Sequence, residues 1–191
     1  MKNIAYLFSI ISFSLCVQNC NKIKNKVKEK MHVPDYSYKN EGIDNFYYSH
    51  SEVGNTPVIP LVKPYNISNI GSPREWYLDT YTAKLNNELG GGISPIESFN
   101  CKDNYIYGYK PFEEDKEDPK FNSPEKWFII DVQEKKLIYF DKKVSFIKAI
   151  KELNLPETFL NPDEVYEQYT KDPVLPWFPE NIKKQLEKVK K

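Results

Sequence analysis

The chain has 191 residues, and its 27 acidic side chains balance 27 basic ones, so the formal net charge at pH 7 is zero. A neutral chain has no strong global field that would recruit nucleic acid, so we expect no nucleic-acid partner. The sequence has only two histidines and three cysteines, and it lacks the spacing of a metal site, a phosphate-binding loop or a serine nucleophile. We therefore expect no catalytic residue, no metal and no cofactor, and enzymatic activity is disfavoured.

The first 19 residues are predicted to form a secretory signal peptide. Met1 to Asn3 provide a short basic start, residues 4–17 form a mainly apolar run, and the chain becomes polar at Gln18. A basic start followed by roughly 7–15 apolar residues is typical of a signal peptide. A membrane-spanning helix needs about 20 apolar residues, so this run is too short to be one.

Cys20 directly follows this segment, and with Val17 three positions before it, Cys20 resembles the lipid-bearing cysteine of bacterial lipoproteins. The resemblance is limited to the signal peptide and Cys20. It implies that a peptidase cleaves the chain before Cys20, that lipid is attached to the cysteine sulfur, and that this lipid holds the protein on a membrane. Two or more acyl chains suffice for stable anchoring. The alternative is an ordinary cleaved signal peptide that leaves Cys20 unmodified.

Residues 20–31 are predicted to be a lysine-rich tether, with lysines at positions 22, 24, 26, 28 and 30 and Glu29 as the single acid. A segment this charged cannot bury enough apolar area to become ordered. Its lysines are also suited to lie against anionic lipid headgroups. In one group of lipoproteins, acidic residues after the cysteine accompany export to the cell surface. By this resemblance, the basic tether implies the periplasmic face of the cell envelope.

Residues 32–191 are predicted to form a single α+β domain with a small, mostly antiparallel sheet, because this length suffices for one hydrophobic core. Turn-forming residues make 32–57 an irregular entry segment. The three prolines of 57–64 restrict this apolar stretch to an edge strand. The pattern of 75–81 predicts another strand, and the three glycines at 90–92 predict a flexible loop.

Three tyrosines, Tyr105, Tyr107 and Tyr109, alternate along a predicted strand over 104–110 and therefore share one of its faces. Together with Trp76, they form a candidate platform on which a glycan or another small ligand would stack. The alternative, which we favour, is that the tyrosines pack against side chains of neighbouring strands.

The sequence from 126 onward predicts a unit of strand, turn, strand and helix. Both faces of the strand at 126–132 are apolar, which is typical of a central strand covered on two sides. A turn at 133–136 leads to a second strand at 137–140, and Asp141 is predicted to cap the helix that follows. The apolar stripe of that helix is predicted to contain Val144, Ile147 and Ile150, widened by Phe146 and Leu153.

Two further short helices are predicted near the C-terminus. Asn161 is a suitable N-terminal cap, followed by Pro162 at the first helical position. The last helix is predicted over 180–190, where apolar residues recur at helical spacing.

The segment between these helices, 173–179, has three prolines that prevent regular structure. It also carries three large apolar residues, Leu175, Trp177 and Phe178. We expect them to fold back on the domain as a buried clamp. The alternative is that they are presented to solvent as the contact surface for a protein partner, since interface cores favour aromatic residues.

The sequence thus favours a lipid-anchored protein of the cell envelope that binds another protein without catalysis, in the manner of an immunity protein or an assembly factor. Besides 173–179, the acidic stretch 113–118 is a candidate contact surface. We expect that stretch to be a solvated loop, because its spacing lacks the alternating oxygen ligands of a calcium loop. The alternative function is a periplasmic domain that binds a small ligand or a glycan.

Overall fold

A computed structural model of the chain describes residues 42–48, 56–69, 71, 75–80, 85 and 91–189. The predicted signal peptide, Cys20 and the tether lie outside these residues. The described part contains two antiparallel four-stranded sheets and three α-helices, which confirms the predicted α+β fold. Of the helices within these ranges, none combines the length and the apolar character needed to cross a bilayer.

The first sheet is short and is built on a row of aliphatic side chains. Ile59, Ile67, Leu78 and Ile93 pair in register across its four strands, and each is buried. Such a row places one apolar residue of every strand on the same face. The strands follow each other in chain order: β1 (Val58–Pro60), β2 (Asn66–Asn69), β3 (Trp76–Asp79) and β4 (Gly92–Ile93).

Two predictions fall on this sheet. The proline-rich strand β1 lies at an edge of the sheet, as predicted, and Pro60 ends it. The predicted glycine loop is wrong at Gly92, which belongs to β4. A side chain at this position would overlap the ring of Tyr77, because an added Cβ would lie 2.0 Å from a ring carbon. A residue other than glycine would therefore require the Tyr77 ring to move.

The second sheet is larger and also runs in chain order. Its strands are β5 (Ser98–Lys102), β6 (Tyr105–Lys110), β7 (Lys126–Asp131) and β8 (Lys136–Phe140). Strand β7 lies between β6 and β8 and is paired along its whole length, which confirms the predicted central strand.

Both faces of the second sheet are covered, and the residues of β7 alternate between two cores. Phe128 and Ile130 belong to the main core, which also contains the aliphatic row of the first sheet. Ile129 belongs to a second core, beneath the helix α1 (Lys143–Glu152). The two-sided apolar pattern of the sequence therefore reflects two different packing partners.

Helix α1 packs on β7 and β8, but two details of its prediction are wrong. Its N-terminal cap is Lys142, whose side chain makes no capping bond within the described chain, while Asp141 pairs with Lys126 instead. The inner face contains Phe146, Ile147 and Ile150, all of which belong to the predicted stripe. Val144, expected in the apolar stripe, is 81% exposed.

The other two helices agree with the predictions. Helix α2 (Pro162–Lys171) begins after Asn161, whose side-chain oxygen accepts bonds from the amides of Asp163 and Glu164 at 2.9 and 3.3 Å. Helix α3 (Glu180–Val189) buries Ile182 and Leu186 in the main core.

Candidate functional site

The three residues of the proline-rich segment that were candidate partner contacts pack on the domain. Leu175 and Phe178 are 1% and 2% exposed, and both belong to the main core. Trp177 is half-buried, and its indole N–H donates to the carbonyl of Pro60 at 2.9 Å. The segment therefore joins α2 to the main core as a clamp, in which Leu175 and Phe178 are inaccessible and Trp177 is partly accessible.

The tyrosine row lies on the face of the second sheet that α1 covers. Tyr107 is fully buried, and its hydroxyl donates to the carbonyl of Pro156 at 2.9 Å. Burial raises the pKa of Tyr107 to about 12. Its ring lies near the rings of Phe146 and Phe159, so packing against side chains, the favoured alternative, describes this residue.

The other two tyrosines of the row lie at opposite ends of this face. The ring of Tyr109 is 4.4 Å from that of Trp127, and its hydroxyl donates to Glu125 at 2.7 Å. Tyr105 is half-buried and lines a groove at the other end of the face. The row therefore does not form one open platform.

Trp76, the fourth residue of the expected platform, lies in the first sheet and in the main core. It is 3% exposed, its indole N–H donates to Asp163 at 3.1 Å, and its ring lies 5.7 Å from that of Tyr166. The structure thus places Trp76 and the tyrosines in different sheets and does not assemble the platform that the sequence suggested.

A groove of about 790 Å³ lies between α1 and the hairpin formed by β7 and β8. Helix α1 covers only part of the sheet, so that the apolar side chains at its margin remain accessible. Ile138 of β8 is 37% exposed, and Leu153, just after α1, is 38% exposed. The apolar walls of the groove are formed by Tyr105, Ile129, Ile138, Phe140, Ala149 and Leu153.

Charged residues surround these apolar walls at the hairpin and at the C-terminal end of α1. They are Asp131, Glu134, Lys135, Lys136 and Glu152. The Asp131 carboxylate accepts a bond from the amide of Glu134 at 2.9 Å, which holds it at the turn between β7 and β8. Concave surfaces with an apolar floor and a few polar groups are typical of binding sites.

The Tyr105 hydroxyl shares the groove with the carboxylates of Asp131 and Glu134. Partial burial raises the pKa of Tyr105, and the negative charges of Asp131 and Glu134 raise it further. The potential beside this hydroxyl is therefore negative.

A second concave surface, of about 590 Å³, lies beside the first sheet and is lined mostly by residues with polar side chains. Beside it, Lys63 forms an ion pair with Asp44, and this bond lowers the pKa of the Asp44 carboxyl. The surface combines one aromatic ring with amide, hydroxyl and ammonium groups. Its walls contain Asn45, Phe46, Thr56, Val58, Lys63, Asn66 and Ser68.

The acidic stretch predicted as a solvated loop is an ordered extension between β6 and β7. Glu113 and Ser123 exchange two backbone bonds of 2.9 Å across it. The Asp115 carboxylate accepts bonds from two backbone amides within the loop, and these bonds lower its pKa. Phe112 and Phe121 of this loop are 55% and 73% exposed.

Groups suited to catalysis or to metal binding were not found in the described part of the chain. No set of three or more histidine, cysteine, aspartate or glutamate side chains there is placed to hold a metal ion. The Cys101 thiol is buried, and burial raises its pKa well above the usual value, so it is poorly suited to act as a nucleophile. Both histidines lie outside the described residues.

Comparisons of the chain with protein-family models, with curated proteins and with solved structures found no match. The functional argument therefore rests on the geometry of the groove between α1 and β8. Sequence reasoning missed this site. The sequence signal for it is the apolar pair Ile138 and Leu153, but two apolar residues are equally consistent with burial in a hydrophobic core.

Proposed function

We propose that the protein is a lipid-anchored, non-catalytic lipoprotein of the cell envelope that binds another protein through the groove between α1 and β8. The observation that supports binding is the exposure of Ile138 and Leu153 on the walls of this groove. Exposed apolar residues within a concave, charge-rimmed surface are characteristic of interaction sites.

The packing of the clamp strengthens this assignment of the binding surface. Leu175 and Phe178 are buried in the main core and thus serve stability. The groove offers accessible apolar area on strands and beside a helix, which these two residues do not. A preformed site of this kind avoids the entropy loss of ordering a loop on binding.

The anchor is proposed to be lipid on Cys20, with the lysine-rich residues 20–31 as the tether and the periplasmic face as the location. Mass spectrometry of the mature protein is expected to identify an acylated cysteine at the N-terminus. The Cys20→Ala variant is expected to move from the membrane to the soluble fraction. An unmodified N-terminus at another residue would show a secreted protein without a lipid anchor.

Partner binding is tested with the tagged full-length protein, cross-linked in cells and purified from the membrane. The wild-type protein and the control variant Val144→Asp are expected to retain one discrete protein adduct, because Val144 lies outside the groove. Ile138→Asp is expected to lose the adduct, since it places a charge on the groove wall. Circular dichroism of each variant verifies the fold. Retention of the adduct by folded Ile138→Asp would refute binding at this site.

The second candidate function is glycan binding at the polar surface of the first sheet. It is favoured by the combination of the Phe46 ring with the side chains of Asn45, Asn66 and Ser68. Polar planar groups beside an aromatic ring suit the hydroxyls and the apolar face of a sugar. Binding of the full-length protein to a glycan array, lost on Asn66→Ala and retained in Ile138→Asp, would support this function over the first.

A further inference from the structure

The charges of the groove indicate which kind of partner segment it accepts, an inference that rests on the proposed function. Asp131 is the half-buried acid of the groove, and its carboxylate accepts a hydrogen bond from the backbone amide of Glu134 at 2.9 Å. A carboxylate held in this way keeps its position without a partner. It can therefore receive a charge-assisted hydrogen bond at little further entropic loss.

Other negative groups lie around the same end of the groove. Glu134 and Glu152 line it, and α1 ends there at Leu153, so the negative end of the helix dipole is directed toward it. Glu152 has an ion pair with Lys148 at 3.8 Å, but both side chains are more than half exposed. Exposed pairs of this kind are weak, so Glu152 still contributes to the negative field.

The two lysines of the groove offset two of its three acids, so a net charge of −1 remains. Lys135 is at the tip of the hairpin, and Lys136 lies opposite Asp131 across the two strands. Both lysines are exposed, as are Glu134 and Glu152, so all four charges are hydrated and screened by salt. The Asp131 carboxylate, in contrast, is partly withdrawn from water.

We propose that the groove binds a peptide segment of the partner that places an aliphatic side chain against Ile138 and Leu153 and a lysine or arginine beside Asp131. The apolar walls supply most of the affinity, while the acid fixes the direction of the segment and rejects acidic sequences. The volume of about 790 Å³ suits a segment of a few residues and excludes a whole folded surface.

The test uses a random peptide library displayed on phage and selected on the full-length protein in detergent micelles. Selected peptides are expected to share an aliphatic residue followed or preceded within a few positions by lysine or arginine. The affinity of a selected peptide is then measured by fluorescence polarisation. Selection of acidic or uncharged peptides, or of none, would overturn the proposal.

Two variants test the contribution of the Asp131 charge to peptide binding. Asp131→Asn keeps the shape and an acceptor for the Glu134 amide, and it is expected to weaken the selected peptide about tenfold, as for loss of one charge-assisted bond. Glu114→Gln, which removes the same charge from the loop between β6 and β7, is expected to have no effect. Equal affinities of all three proteins would overturn the proposal.

A salt titration of the wild-type protein tests the same point without a variant. Peptide affinity is expected to fall as sodium chloride rises, and an affinity independent of salt would contradict a cation beside Asp131. Failure of this inference is distinguishable from failure of the proposed function. If Ile138→Asp loses the cellular adduct but the library peptides lack a basic residue, the groove still binds a protein. The proposed basic segment of the partner would then be refuted.

Discussion

The two faces of the second sheet are covered to different degrees, although they are formed by alternate residues of the same strands. The face of Phe128 and Ile130 meets the first sheet, α2, α3 and the clamp, and both residues are 0% exposed. The opposite face is covered by α1 and by Leu155 and Phe159 of the loop after it, and this cover buries Ile129 but leaves Ile138 accessible. At β7 the first face is fully covered, whereas at the edge strand β8 both faces are partly open, since Tyr139, on the face of Phe128, is 47% exposed. On the side of α1, the partial cover leaves a concave surface that is suited to binding.

The largest expected effect concerns the fully covered face. Phe178→Ala removes a ring that is 2% exposed and lies 4.9 Å from the ring of Tyr47. Truncation of a buried phenylalanine lowers the free energy of unfolding by about 3–5 kcal/mol. Denaturant unfolding monitored by circular dichroism measures this loss. A folded, fully stable variant that no longer captures a partner would instead make Phe178 a contact residue.

Ile130→Ala is expected to have the next largest effect, because Ile130 lies on the central strand and faces the main core. Loss of its buried methyl groups leaves a cavity and lowers the free energy of unfolding by about 2–5 kcal/mol. The same denaturant titration measures it. A loss below about 1 kcal/mol would show that the two faces differ less in packing than the structure indicates.

Tyr107→Phe tests the second core, where the Tyr107 hydroxyl bonds to the carbonyl of Pro156. Loss of this bond is expected to lower the free energy of unfolding by about 1 kcal/mol at neutral pH. Agreement with wild type within experimental error would indicate that the bond contributes nothing.

The same substitution has a predicted pH dependence. In the folded protein the pKa of Tyr107 is raised to about 12, while an unfolded tyrosine titrates near pH 10. The unfolded state therefore loses its proton first, and stability falls as the pH rises from about 10 to about 12. This fall is expected to be smaller in Tyr107→Phe, and unfolding curves collected across this range measure it. An identical fall in both proteins would contradict the burial of this hydroxyl.

The smallest expected effect concerns the groove. Ile138→Ala removes a side chain that is 37% exposed on β8, so the free energy of unfolding is expected to change by less than about 1 kcal/mol. Ile130→Ala is its matched partner, because Ile138 and Ile130 are the same residue type on neighbouring strands of one sheet. Equal losses in the two variants would contradict the contrast between the two faces.

The sequence predicted well those elements whose own residues indicate how they are buried or capped. Strand β7 is apolar on both faces, and Asn161 with Pro162 forms a strong helix start, so these elements were recognised. The strands β2, β4 and β5 were not predicted. They are short, and β2 and β5 are interrupted by polar residues, so their pairing depends on distant strands rather than on a local pattern.

The groove could not be predicted for a related reason. Its existence depends on how far α1 covers the second sheet, and this extent depends on tertiary packing rather than on a local pattern. The apolar spacing indicates that Phe146, Ile147 and Ile150 share the inner face of the helix, but it does not show where on the sheet the helix lies. The accessibility of Val144 and Ile138 therefore could not be predicted.

The central claim is that the incompletely covered face binds a protein, and site-specific photo-cross-linking in cells tests it most directly. A photoreactive amino acid replaces Leu153 in the groove or Val144 at the other end of the same helix. The account predicts one discrete protein adduct from position 153 and none from position 144. No adduct at 153, or the same adducts from both positions, would contradict it.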